Sequence, residues 1–118
     1  METANHRLEI MTKVALDALK DVKGEDITLL NIRSKNAIFS RLLLASGKSS
    51  RQVRALGERV ALALKEAGFD VLGIEGLDNG EWVLVDGGDL LIHAMQKEIR
   101  DFYDLETLWS SEDAQETA

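Results

Sequence analysis

The stretch from Glu81 to Trp109, EWVLVDGGDLLIHAMQKEIRDFYDLETLW, constrains the fold more than any other, because it reads as a strand, a tight turn, a second strand and a closing helix. EWVLVD and DLLIHAM are short runs rich in Val, Ile, Leu and Trp, and only Gly87 and Gly88 separate Asp86 from Asp89. Two glycines can both take positive φ, as a two-residue primed turn requires, so the stretch predicts a hairpin. If Asp86 faces Asp89, Val85 opposes Leu90, Leu84 opposes Leu91, Val83 opposes Ile92 and Trp82 opposes His93.

Alternation along each strand then separates two faces. Val83, Val85, Leu90, Ile92 and Ala94 form a purely apolar face suited to burial beneath helices. Trp82, Leu84, Leu91, His93 and Met95 form the other, which ends at the turn in the carboxylates of Asp86 and Asp89. An aromatic anchor with charges at the rim is the usual anatomy of a protein-binding patch. The competing reading is that a helix of the same chain covers this face, and the residues leave both open.

A chain of 118 residues is expected to form one domain, burying roughly two thirds of its unfolded surface. It is 45% hydrophobic and 30% charged, and no apolar run approaches the ~20 residues of a membrane-spanning helix. The start, METANHRLEI, lacks the pattern of a secretion signal, so the expected location is cytoplasmic. Without Cys there is no disulfide, thiolate metal site or cysteine nucleophile. The net charge of -7 does not come from the tail alone, which takes with it only Glu112, Asp113 and Glu116. An acidic body is a poor ligand for phosphate backbones and suits a basic protein, so no direct sequence-specific nucleic-acid binding is expected.

Leu8, Met11, Ala15, Ala18, Leu19 and Val22 recur at helical spacing and predict a helix from about Arg7 to Val22, ended at Gly24, with His6 in its N-cap region. DITLLNI, from Asp26 to Ile32, predicts a strand, and RLLLAS, an almost unbroken apolar run from Arg41 to Ser46, a central buried strand. Ser49 and Gln52 have capping-box spacing ahead of a helix with Val53, Leu56, Val60, Leu64 and Ala67 on one face, stopped at Gly68. VLGIEG, from Val71 to Gly76, is the next strand, expected as a parallel neighbour reached by a right-handed crossover. In the closing helix Ile99, Phe102, Tyr103, Leu105, Leu108 and Trp109 give an apolar face. The acidic tail, residues 110–118, has nothing to bury and is expected to be disordered beyond a domain at 1–109.

ASGKSS, from Ala45 to Ser50, follows a strand and opens a helix, superficially like a phosphate-binding loop. That motif needs a glycine five residues before Gly47, where this chain has Leu42, so the turn reads as a capped strand-to-helix connection. Asp86, Asp89 and His93 invite an acid-base or metal reading, but acids at a turn and a lone sheet histidine are more often solvated or structural. A metal site wants three or four converging ligands, and no pair of acids is spaced for nucleotidyl transfer. The residues argue for binding over catalysis, with no metal or cofactor.

From ASGKSSRQV onward the chain resembles the ribosomal silencing factor S family, also called the Iojap family. The pattern is Ala45, Ser46, Gly47; Ser49 to Val53; Glu75, Gly76; Trp82; Asp86, Gly88, Asp89; His93; Phe102 to Glu106; and Leu108, Trp109. The likeness runs from about Leu8 to Trp109, and is densest after Ala45. It implies an α/β single domain with a mixed sheet of about five strands flanked by helices, like a nucleotidyltransferase core without the catalytic motif, and no enzymatic activity. It also implies binding to the large ribosomal subunit through ribosomal protein fourteen of that subunit, blocking its joining with the small subunit and repressing translation when nutrients are scarce; some members aid large-subunit maturation. The chain departs from the family pattern at Ser40 and Arg41, at Gly87 inside the turn, and at Ala94.

On this reading the partner-binding residues are Trp82, Leu84, Asp86, Asp89, Leu91, His93 and Met95. The alternatives are a degenerate nucleotidyltransferase or nucleotide-binding domain using Lys48 and the helix beginning near Ser49, and a homodimer burying the same hairpin face.

Overall fold

The computed structural model describes residues 2–32, 38–110 and 114–116, with side chains for 6–32 and 38–108. Helix α1 (Glu2–Asp21) leads into β1 (Glu25–Ile32) and β2 (Arg41–Gly47); α2 (Ser50–Glu66) follows, then β3 (Gly73–Glu75), β4 (Trp82–Asp86) and β5 (Leu90–Gln96). The chain closes with α3 (Lys97–Tyr103), α4 (Leu105–Ser110) and β6 (Ala114–Glu116). Among the described residues the strands form one mixed sheet in the order β3-β4-β5-β2-β1-β6. Among the described residues only β2 and β5 pair in parallel.

Helices α1 and α2 cover one face of this sheet. Met11, Ala15 and Leu19 from α1 and Val53, Leu56, Val60 and Leu64 from α2 join Leu43, Ala45, Val83, Val85, Leu90, Ile92 and Ala94 in one cluster. The apolar hairpin face therefore lies in the core, as alternation required. On α2, Gly57 lets the helix sit directly on β4, since a Cβ there would run into the Val83 side chain. Helix α1 is fastened to β2 by Arg41, which donates to Glu9 Oε2 at 2.7 Å and to Thr12 Oγ1 at 3.1 Å. The Arg41 guanidinium holds the Glu9 carboxyl below its ordinary pKa.

The opposite face carries a smaller cluster, Leu30, Leu42, Leu44 and Met95, covered by Ile99 and Leu105 of the C-terminal helices. The unbroken apolar run of β2 thus has cover on both sides: Leu43 and Ala45 face one cluster, Leu42 and Leu44 the other. Since α3 and α4 are short, they shelter only part of this second face. The reading that helices of the same chain cover the Trp82 face therefore holds only for the part beneath Ile99 and Leu105.

Several expectations need correcting. His6 lies inside α1 and is exposed, because the helix begins four residues earlier. Strand β3 is not the parallel neighbour of β2: the β4–β5 hairpin inserts between them, so β3 runs parallel to β2 but at the sheet edge, paired antiparallel with β4. Part of the tail expected to be disordered, Ala114–Glu116, pairs with Leu30–Ile32, where β1 would otherwise present an unpaired edge; residues 111–113, 117 and 118 lie outside the described residues.

The closing helix is two helices. Asp104 takes a left-handed conformation, φ 50, with its N–H donating to the Arg100 carbonyl at the end of α3 and its Oδ1 accepting from the Thr107 N–H in the first turn of α4. Asp tolerates that conformation and is a favoured N-cap, so one residue ends one helix and starts the next. The break turns Ile99 and Leu105 inward but leaves Phe102, Tyr103 and Leu108 outside.

Candidate functional site

The hairpin forms, with a register two residues away from the predicted one. Trp82 pairs with Met95, Val83 with Ala94, Leu84 with His93, Val85 with Ile92 and Asp86 with Leu91. The Gly87 N–H donates to the Leu90 carbonyl at 2.9 Å, so Gly88 and Asp89 are the central turn residues. Only Gly88 needs positive φ, +88°, which fits a primed turn with Gly at the first central position. Asp86 Oδ1 accepts from the Gly88 N–H at 2.9 Å and fixes the turn. A shift of two preserves alternation, and for that reason the two faces survive the error.

Three of the seven candidate residues come together around one open cleft of about 300 Å³: Trp82, Leu84 and His93, with Glu75 and Gly76. The register explains this, because Glu75 pairs with Leu84 and Leu84 with His93 across three strands. Gly76, at φ +92, passes so close to the Trp82 carbonyl that a Cβ would overlap it. Glycine is required at this position.

Trp82 is half-buried. Its indole Nε1 donates to His93 Nδ1 at 2.7 Å, and its ring lies 4.9 Å from that of Tyr103. Because Nδ1 accepts, the His93 proton sits on Nε2 and the imidazole is neutral. Burial pushes the His93 pKa down to about 4, so the ring stays uncharged at neutral pH.

The other four candidates are placed differently. Met95 is fully buried beneath Ile99 and Leu105 and supports the face from below without reaching its surface. Leu91 is half-buried beside the same cluster. Asp86 and Asp89 border a separate cleft of about 540 Å³ at the hairpin tip, shared with Arg7, Met11, Phe69 and Leu72. The Asp89 carbonyl accepts from the N–H groups of Ser40 and Arg41 at 2.8 and 3.0 Å, anchoring the tip to the entry of β2. Gly87 backs onto Met11, whose terminal methyl occupies the space a Cβ would take.

The sequence reading passed over Arg100, which is 6% exposed and positions the C-terminal helices. Nε and Nη2 grip the Glu106 carboxylate at 2.9 and 3.0 Å, Nη1 donates to the Asp26 carbonyl and Ser46 Oγ, and Nη2 also to Thr28 Oγ1. All five N–H groups of the guanidinium have acceptors. Asp26 is itself left-handed, φ 49, at a bulge in β1. The available signal was one arginine amid the apolar positions of a helix.

The loop-like turn after β2 is a structural cap. Ser49 Oγ accepts from the Gln52 N–H, Gln52 Oε1 accepts from the Lys48 N–H at 2.6 Å, and Gln52 Nε2 donates to the carbonyls of Val22 and Lys23. Lys48 Nζ pairs with Glu25 at 3.3 Å. Ser49 and Gln52 thereby hold the start of α2 against the turn after α1, while the Lys48 side chain makes only an exposed ion pair. Among the described residues no three His, Asp or Glu converge as metal ligands, and no helix is long and apolar enough to cross a membrane.

Residues 4–118 match the family described as ribosomal silencing factor during starvation. The chain is 46% identical over 105 residues to ribosomal silencing factor RsfS of Chromobacterium violaceum, covering 89% of this chain and 86% of that one. A crystal structure of a protein from that organism, 46% identical, superposes with a TM-score of 0.84 over 89% of this chain and 88% of the other. A mouse protein named mitochondrial assembly of ribosomal large subunit protein 1 is 30% identical over 95 residues, 78% of this chain and 42% of its own length. The family carries the name of a regulator of ribosomes and not of an enzyme. On its sequence, its mixed sheet and these likenesses, the chain belongs to the ribosomal silencing factor family.

Proposed function

We propose that this protein is a cytoplasmic translational repressor that binds the large ribosomal subunit through its ribosomal protein fourteen and blocks joining of the small subunit. The observation that carries the reading is the Trp82 anchor: an indole left half-exposed on an open sheet face, with its N–H satisfied by a buried, neutral His93. Such a ring is oriented before the partner arrives, so docking costs little side-chain entropy and leaves no buried donor unpaired. Trp82, Leu84, Leu91 and His93 form the centre of the patch and Asp86 and Asp89 its acidic end, with Met95 underneath. The negative body suits a basic ribosomal protein. The name of the mouse relative supports a second role in large-subunit assembly.

Sucrose-gradient sedimentation of lysates containing the tagged chain tests the reading. The wild type is expected with the large subunit and Trp82→Ala at the top of the gradient. Recovery of the wild type only in the top fractions, in starved as in growing cells, would overturn it.

A further inference from the structure

The aromatic surface does not end at Trp82. Tyr103 packs on the Trp82 ring, centroids 4.9 Å apart, and Phe102 meets Tyr103 edge to face at 5.0 Å, so three rings run outward from the sheet as one ladder. Its outer members are uncovered: Phe102 is 80% exposed and Tyr103 52%. Single exposed apolar residues are ordinary on a protein surface, whereas a row that continues onto a half-buried Trp is a patch.

The support beneath the ladder is rigid. Arg100, two residues before Phe102, spends all five donors on Glu106, Asp26, Ser46 and Thr28. Helix α3 is thereby fixed to β1 and β2. Around Phe102 the charges are unequal: Glu98, Asp101 and Asp104 are exposed against Lys97 alone, which pairs with Asp101 at 3.7 Å. The Arg100 charge is already matched by Glu106.

We propose that Phe102 and Tyr103 form the outer half of the partner-binding surface whose inner half is Trp82, and that they receive an apolar side chain flanked by Lys or Arg from a protein of the large subunit. The inference rests on the large-subunit reading above and extends its interface from the sheet onto α3. A rigid aromatic with an acidic rim is complementary to such a segment, while the same carboxylates repel the phosphates of ribosomal RNA.

Equilibrium binding of the full chain to salt-washed large subunits, with melting temperatures measured alongside, tests the proposal on the wild type, Trp82→Ala, Phe102→Ala and Phe102→Leu. Phe102→Ala is expected to weaken binding roughly tenfold or more, and Phe102→Leu less, because Leu keeps much of the apolar volume. Both should melt within about 3 °C of the wild type, as exposed positions do. Wild-type affinity in Phe102→Ala, with binding lost in Trp82→Ala, would overturn the extension and leave the large-subunit reading standing. No binding by the wild type would overturn both. A fall in melting temperature beyond that range in Phe102→Ala, with affinity unchanged, would mark a packing role and also overturn the extension.

Discussion

Trp82 Nε1 and His93 Nδ1 lie 2.7 Å apart, in a hydrogen bond that crosses diagonally between two strands of one hairpin. The bond fixes the indole orientation and the imidazole tautomer together. Trp82→Phe keeps an aromatic ring near Tyr103 but leaves His93 Nδ1 without its donor. The expected cost is about 1–2 kcal/mol of stability, the penalty for a buried acceptor left unpaired. Urea unfolding checks it, and unchanged stability would mean that water replaces the indole.

His93 should make stability depend on pH. Its folded pKa, about 4, lies below the ordinary value of 6.5 because burial disfavours the charged ring. Between pH 6.5 and 4 the unfolded chain takes up a proton that the folded chain refuses. The contribution is therefore fully present above pH 6.5, falls as pH drops toward 4, and levels off below. At about 1.4 kcal/mol per pKa unit it is on the order of 3 kcal/mol. His93→Gln should lose less stability than the wild type between pH 7 and 4.5. Parallel pH profiles for the two proteins would contradict the assignment.

The hairpin shows what was legible in the sequence and what was not. Residue types and their alternation identified two strands and assigned each side chain to its face, because period-two patterning depends only on parity. The register depends on which residue takes positive φ, and two adjacent glycines do not say; contact of Gly87 with Met11 of α1 accompanies the choice of Gly88. The break at Asp104 had a local signal, an Asp three residues before Thr107, that the continuous apolar spacing concealed. The acceptors of Arg100 on β1 and β2, from Asp26 to Ser46, lie more than fifty residues away in the chain, and helical spacing carries no trace of them.

Arg100→Lys should destabilise the protein despite keeping the charge. An ammonium cannot reproduce the two-pronged grip on Glu106 while also reaching Asp26, Ser46 and Thr28. Breaking a buried network of this kind costs about 3 kcal/mol, or roughly 10 °C in melting temperature. Calorimetry reads the shift directly, and a drop below about 2 °C would show that the network is dispensable.

Gly57→Ala sets two effects against each other. Replacing a mid-helix glycine gains about 1 kcal/mol of helix propensity, yet the new methyl meets Val83 on β4. Overpacking a filled core costs about 1–3 kcal/mol, so the substitution should be neutral to destabilising. Combined with Val83→Ala, which vacates the space, the pair should be more stable than the sum of the single effects predicts. Strict additivity in a double-mutant cycle would rule out the contact.

The central claim, that the Trp82 face occupies the large subunit at the expense of the small one, is met most directly by mixing purified subunits and following their association by light scattering as protein is added. The wild type should suppress joining in proportion to the large subunits it occupies, while Trp82→Ala at the same concentration should leave joining near its uninhibited extent. Full association in the presence of saturating wild-type protein, with that protein bound to the large subunit, would contradict the account.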